Sequence, residues 1–158
     1  MFEGFTEASI KAIMLAQEEA RRLDYNRLDS EQILLGLLGG GLLKAALVLS
    51  KFSPSTLVYK DARAEVEMII GKGNVTDFSE PPPFTANAKS LLEGSFEQSK
   101  KYGHNYIGEE HLFLALLQQS DTVALRVLTN LGFSIEQLQE EAVRMLPPPT
   151  EFNTAPQA

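Results

Sequence analysis

The stretch Glu31-Gln32-Ile33-Leu34-Leu35-Gly36-Leu37-Leu38 has a counterpart in Glu110-His111-Leu112-Phe113-Leu114-Ala115-Leu116-Leu117, an offset of 79 residues. Each begins with a carboxylate and continues as a short run that is apolar on every side. A helix apolar all round has to be buried, so residues 33–38 and 112–117 are predicted core helices. The same offset reaches outward in both directions. Phe5-Thr6 recurs as Phe84-Thr85, Tyr25-Asn26 aligns with His104-Asn105, and Val48-Leu49 aligns with Val127-Leu128. Further on the register slips to 77, where Arg63-Ala64-Glu65-Val66 meets Glu140-Glu141-Ala142-Val143. A shared offset across so many positions makes the chain two homologous halves.

Each half reads as helices. Thr6 is an N-cap, its hydroxyl placed to accept from an unpaired backbone N–H of the first turn. Phe5 and Ile10 stand at the two positions of a hydrophobic staple. Ile13, Ala16, Ala20 and Leu23 then form one stripe at helical spacing, and Ala88, Leu91, Leu92 and Phe96 follow Thr85 in the same way. Asp29 and Gln32 make a capping box ahead of the first core helix, with Glu31 complementing the positive end of its dipole. A third helix is expected over residues 42–50 and 122–130, a fourth over 54–70 and 135–146. Proline at the first helical position follows Ser53 in one copy, and Ser134 with Gln137 caps the other. No segment alternates as strands do. The expectation is all-α, eight helices in two pseudo-twofold-related four-helix repeats spanning residues 1–70 and 84–146. Residues 71–83, glycine-bounded and ending in three prolines, read as an extended linker. Residues 147–158, proline-rich with little to bury, read as a disordered tail.

Composition narrows the function. The 158 residues are 44% hydrophobic and 22% charged, a globular balance. No cysteine is present, which excludes disulfides, thiolate metal sites and cysteine nucleophiles. A net charge of −7 argues against nucleic acid as a partner, because phosphate neutralisation needs a basic face. The first residues carry no signal-peptide pattern, and the apolar run 33–43 is too short to cross a bilayer; the reading is an intracellular protein with no membrane partner. Enzyme motifs are lacking. Gly71-Lys72-Gly73 follows a helix and lacks P-loop spacing, and no nucleophile elbow is present. His104 and His111 are the only imidazoles and do not have zincin spacing, so no metal is expected. An acid–base role for Glu109, Glu110 and His111 is disfavoured, since consecutive helical residues point about 100° apart. Glu31 and Glu110 remain of interest as symmetric carboxylates near helix N-termini, suited to a cationic group, with Thr6 and Thr85 at neighbouring helix starts.

These residues together resemble a known family. Phe5-Thr6-Glu7, the run from Met14 to Leu23, and Ser30-Glu31-Gln32-Ile33-Leu34-Leu35-Gly36-Leu37 are similar to the Clp N-terminal domain. So are Phe84-Thr85, Gly103-His104-Asn105-Tyr106-Ile107-Gly108-Glu109-Glu110-His111-Leu112, and the run from Ala124 to Gly132. The stretch from Asp61 to Gly73 resembles the ClpC type of cyanobacteria and plastids. The resemblance covers residues 2–146.

What the resemblance implies is a non-enzymatic module without a cofactor, monomeric in isolation and cytoplasmic or stromal. It would dock adaptors and substrate proteins for a ClpC–ClpP chaperone-protease. The alternative it implies is a free-standing accessory subunit binding the ClpP-type core or the ClpC ring. Some ClpC-type members recognise phosphorylated arginine through threonine–glutamate pairs, which map here to Thr6 with Glu31 and Thr85 with Glu110. The chain departs from the usual Gly-Thr/Ser-Glu-His: it has Asp29-Ser30-Glu31-Gln32 and Gly108-Glu109-Glu110-His111. Each copy thus carries an added carboxylate, and like charge disfavours an approaching phosphate.

Overall fold

A threonine or aspartate fixes where most of the helices begin. The hydroxyls of Thr6, Thr85 and Thr122 accept from the backbone N–H three residues on, at 3.1, 3.1 and 3.2 Å. Ser134 does the same from Gln137 N–H at 3.3 Å, the hydroxyl half of its expected box. Asp29 and Gln32 close a full box, with Gln32 Oε1 accepting from Asp29 N–H at 2.8 Å. The computed structural model describes residues 2–40, 51, 58–78 and 80–150.

Seven helices occur among the described residues: α1 Glu7–Arg22, α2 Ser30–Gly39, α3 Val58–Ile70, α4 Ala86–Lys101, α5 Glu109–Gln118, α6 Val123–Asn130 and α7 Ile135–Arg144. Among them there is no strand, only two isolated backbone bridges. The fold is all-α. The helix expected over 42–50 and the start of the one expected at 54 lie outside the described residues. Helices α1 and α2 map onto α4 and α5 at the offset of 79 at both ends, and α3 starts 77 residues before α7.

The predicted core helices are the core. Ile33, Leu34, Leu37, Leu112, Leu116 and their neighbours are sealed from solvent, and α2 and α5 are buried along nearly their whole length. Small residues let the partners close on them. A Cβ on Gly36 would overlap the Ala12 carbonyl oxygen and stand 3.1 Å from Ala16 N, so α1 and α2 pack backbone to backbone. In the second repeat Gly94 of α4 serves that purpose, its missing Cβ facing Ala115 of α5 at 3.3 Å.

The segments leaving the fourth helix of each repeat fold back in the same way. Tyr25 Oη donates to Ile70 O at 2.6 Å, and at the equivalent place His104 Nε2 meets Pro147 O at 3.0 Å. Gly73 N–H donates to Leu23 O, and Thr150 N–H to Gly103 O. Residues 147–150, expected at the start of a disordered tail, are therefore held. Prolines lack an N–H to satisfy, and the Pro147 carbonyl finds its donor in His104. Residues 151–158 lie outside the described residues.

Candidate docking site

The two repeats are joined by a reciprocal backbone exchange. Thr6 N–H donates to Ile107 O at 3.0 Å while Ile107 N–H donates to Gly4 O at 2.8 Å. Across the pseudo-twofold, Thr85 N–H donates to Leu28 O at 3.0 Å and Leu28 N–H to Pro83 O at 2.8 Å. Every residue in one exchange is 79 away from its counterpart in the other. The exchange brings Thr6 to the segment that leads into Glu110, and Thr85 to the segment that leads into Glu31. Each threonine's backbone N–H thus bonds to the other repeat, to the segment ahead of that repeat's glutamate, while the resemblance pairs Thr6 with Glu31 and Thr85 with Glu110.

Glu31 sits in the first turn of α2 and is 1% exposed. Its Oε2 lies 3.5 Å from Arg27 Nη1, which is also 3.7 Å from Asp29 Oδ2. The Arg27 guanidinium stands 4.9 Å from the Tyr25 ring centroid, a cation–π contact. Burial lifts the Glu31 carboxyl above its ordinary value, the charge of Asp29 lifts it further, and Arg27 opposes both. Ser30 Oγ, Glu31 Oε1 and Gln32 Nε2, on successive residues of this first turn, are each buried without a hydrogen-bond partner.

The second repeat solves the same place differently. Tyr106 replaces Arg27 and donates through its Oη to Glu110 Oε2 at 3.4 Å. Burial raises the Tyr106 pKa, and the Glu110 charge adds to it. Gly108 replaces Asp29; a Cβ there would meet Glu110 Oε1 at 2.5 Å, so the carboxylate lies against bare backbone. Glu109 and Glu110 are both buried. The histidines pair with each other: Gly108 N–H donates to His111 Nδ1 at 2.9 Å, leaving His111 Nε2–H for His104 Nδ1 at 2.8 Å and His104 Nε2–H for Pro147 O. One N–H per ring satisfies all four nitrogens. In repeat 1 Gln32 reproduces the first of these bonds and Tyr25 the last.

A groove of about 800 Å³ runs along this seam, lined by Phe5, Phe84, Leu92, Phe96 and Ile107, with Glu3, Glu93 and Glu97 on its rim and Lys89 beside them. Leu91 of the α4 stripe is buried, but the stripe continues onto the surface, and Phe96 is 49% exposed. Sequence reasoning set Leu92 and Phe96 in one apolar stripe with Ala88 and Leu91. Comparison between repeats marks Phe96 alone as different: its equivalent is Gln17, as expected of a solvated face, whereas that of Leu92 is the buried Ile13.

Two matches to the Clp repeat (R) N-terminal domain cover residues 4–93 and 83–156, one for each half of the duplication. The chain belongs to this family. It is 52% identical over 151 residues to the chaperone protein ClpC2, chloroplastic, of Oryza sativa subsp. japonica, covering 96% of this chain and 16% of that protein. It is 49% identical over 155 residues to the ATP-dependent Clp protease ATP-binding subunit ClpA homolog of Porphyra purpurea, covering 98% of this chain and 18% of that protein. The Clp N-domain described here therefore spans about a sixth of the length of the relatives it matches. Among solved structures, the N-terminal domain of the ClpD chaperone from Arabidopsis thaliana superimposes with a TM-score of 0.72 at 28% identity, covering 91% of this chain and 95% of that one. The Hsp104 N-terminal domain from Candida albicans shares the fold, with a TM-score of 0.73 at 18% identity over 90% of this chain and 91% of that one. No helix among the described residues is long and apolar enough to cross a membrane.

Proposed function

We propose that this Clp N-domain is a docking module of a ClpC-type chaperone-protease, gripping a segment of a substrate or adaptor protein without catalysing a reaction. The observation that carries this reading is the seam groove, where five apolar side chains meet a largely acidic rim. A contiguous exposed apolar groove on a folded domain is suited to protein contact. Its rim selects an apolar segment flanked by lysine or arginine, since opposite charge steers the encounter and like charge repels. Glu31 and Glu110, with Thr6 and Thr85 across the junctions, serve as the places where a cationic side chain of the partner ends. No nucleic acid or membrane is involved in this reading, and the module acts as a monomer.

The test is fluorescence anisotropy with a labelled peptide of alternating leucine and lysine. The native chain should bind it, and Phe96→Glu should weaken binding at least about tenfold, or ~1.4 kcal/mol. Equal affinity for both proteins contradicts the groove assignment. A pull-down from a cyanobacterial or stromal extract then separates the two roles. Adaptors and unfolded substrates define docking, whereas a ClpP-type ring recovered without an ATPase defines the accessory subunit.

A further inference from the structure

Helix α3 shows its neighbours two different faces. Ala62 and Val66 are sealed in the core, and the helix packs closely on α2 and α6. Helix α1 lies further off and reaches α3 through long side chains. Tyr59, Arg63 and Glu67, four residues apart, share one face of α3 and meet Glu19 and Arg22 of α1. We propose that these contacts form a latch particular to repeat 1: Glu19 clasps α3 to α1, and breaking the clasp lets α3 open locally while the rest of the fold stays closed.

Glu19 is the centre of the clasp. It is 5% exposed, and its carboxylate accepts from three donors: Tyr59 Oη at 2.6 Å on Oε2, and Arg22 Nε and Arg63 Nε at 3.1 and 3.3 Å on Oε1. Burial, followed by the hydrogen bond to Glu19, pushes the Tyr59 phenol up to about 12, so it remains a donor at neutral pH. Tyr59 also seats on Gly39, where a Cβ would stand 2.5 Å from the ring, so the same side chain ties α3 to the end of α2. Arg63 lies over the Tyr59 ring, 5.2 Å from its centroid, and Arg22 Nη1 is 3.7 Å from Glu67 Oε1. A buried carboxylate is stable only while its donors are in place. Once α3 lifts, water satisfies the same groups, so a polar contact of this kind parts at lower cost than an apolar one of equal size.

Repeat 2 cannot build this clasp. At the offset of 79, Glu19 and Arg22 become Gln98 and Lys101; at 77, Tyr59, Arg63 and Glu67 become Glu136, Glu140 and Arg144. The central carboxylate is gone, and two acids stand where its donors would be. Helix α7 is held instead by the buried Leu138 and Ala142, and by Gln139 Nε2 donating to Leu117 O at 2.9 Å. Opening therefore uncovers Ala62 and Val66 in repeat 1, a conditional apolar surface made of residues other than those of the seam groove.

The experiment is native-state amide hydrogen exchange on the full chain, read separately at α3, α5 and α7, because local opening and global unfolding expose different sets of amides. Glu19→Gln should speed exchange at residues 62–70 at least about tenfold and leave residues 112–117 and 138–144 within about twofold of the native chain. Tyr59→Phe keeps the ring against Gly39 and removes one donor; it should speed the same α3 amides by a smaller factor, and it serves as the test if Glu19→Gln does not fold. Gln98→Ala, at the equivalent place in repeat 2, should leave α7 exchange unchanged. Equal acceleration of α3, α5 and α7 in the Glu19 and Tyr59 variants overturns the proposal, since the clasp would then belong to the global fold. Unchanged α3 exchange in those variants overturns it as well, and so does an α7 that opens in Gln98→Ala as α3 does in Glu19→Gln.

Discussion

Glu31 and Glu110 hold one position of a copied sequence, and their neighbours make them different groups. Glu31 is pressed between burial, Asp29 and Arg27, with burial the largest influence and the net effect a raised pKa. The folded chain therefore holds that proton more tightly than the unfolded chain does. This group's contribution to stability is fully present below pH 4.5 and is lost as the pH rises through the higher folded value. Glu31→Gln removes the titration, so urea unfolding should show a smaller fall in stability between pH 4.5 and 7 than the native chain does. An unchanged fall would show that the carboxylate is not held in this way. The sequence shows the acidic character of the site, including the added carboxylates Asp29 and Glu109. It does not show Arg27 reaching back over them, because that depends on a loop in which Asp24 takes a left-handed φ of 64°. The second repeat uses Gly103 at the equivalent place, with φ 75°.

Elements were the most legible scale. Threonine and aspartate caps and all-round apolar runs are local signals, so the starts of α1, α2, α4 and α5 can be read directly from the residues. Close approach between helices is not local. Nothing in Leu35-Gly36-Leu37 says that the α1 backbone passes against Gly36, although that contact sets how near the helices lie. Gly36→Ala would normally favour a helix by up to about 1 kcal/mol. Here the added methyl meets backbone oxygen that cannot rotate away, so the variant should be destabilised by about 3 kcal/mol in chemical denaturation. Gly94→Ala should cost less, because its nearest neighbour is the Ala115 side chain at 3.3 Å. A Gly36→Ala protein as stable as the native chain would contradict the packing described. The held residues 147–150 escaped sequence reading for a related reason: their partners, His104 and Gly103, lie far back in the chain.

At the scale of the molecule, the duplication is visible in the sequence and the interlock is not. An offset of 79 says that two units exist. It does not say that each lends the other a bridging residue, Phe5 to Ile107 and Phe84 to Leu28. Those bridges create the seam, and the seam creates the groove in which the α4 stripe reaches the surface at Phe96. On this account the docking surface belongs to the pair of repeats and to neither one alone. The measurement that tests this most directly is methyl and aromatic NMR of the full chain titrated with the leucine–lysine peptide. Saturable shifts are expected for the Phe5 ring, from repeat 1, and for the Leu92 and Ile107 methyl groups, from repeat 2, with one shared midpoint. Shifts confined to one repeat, or to the methyl groups of α3 and α7 away from the seam, would contradict it.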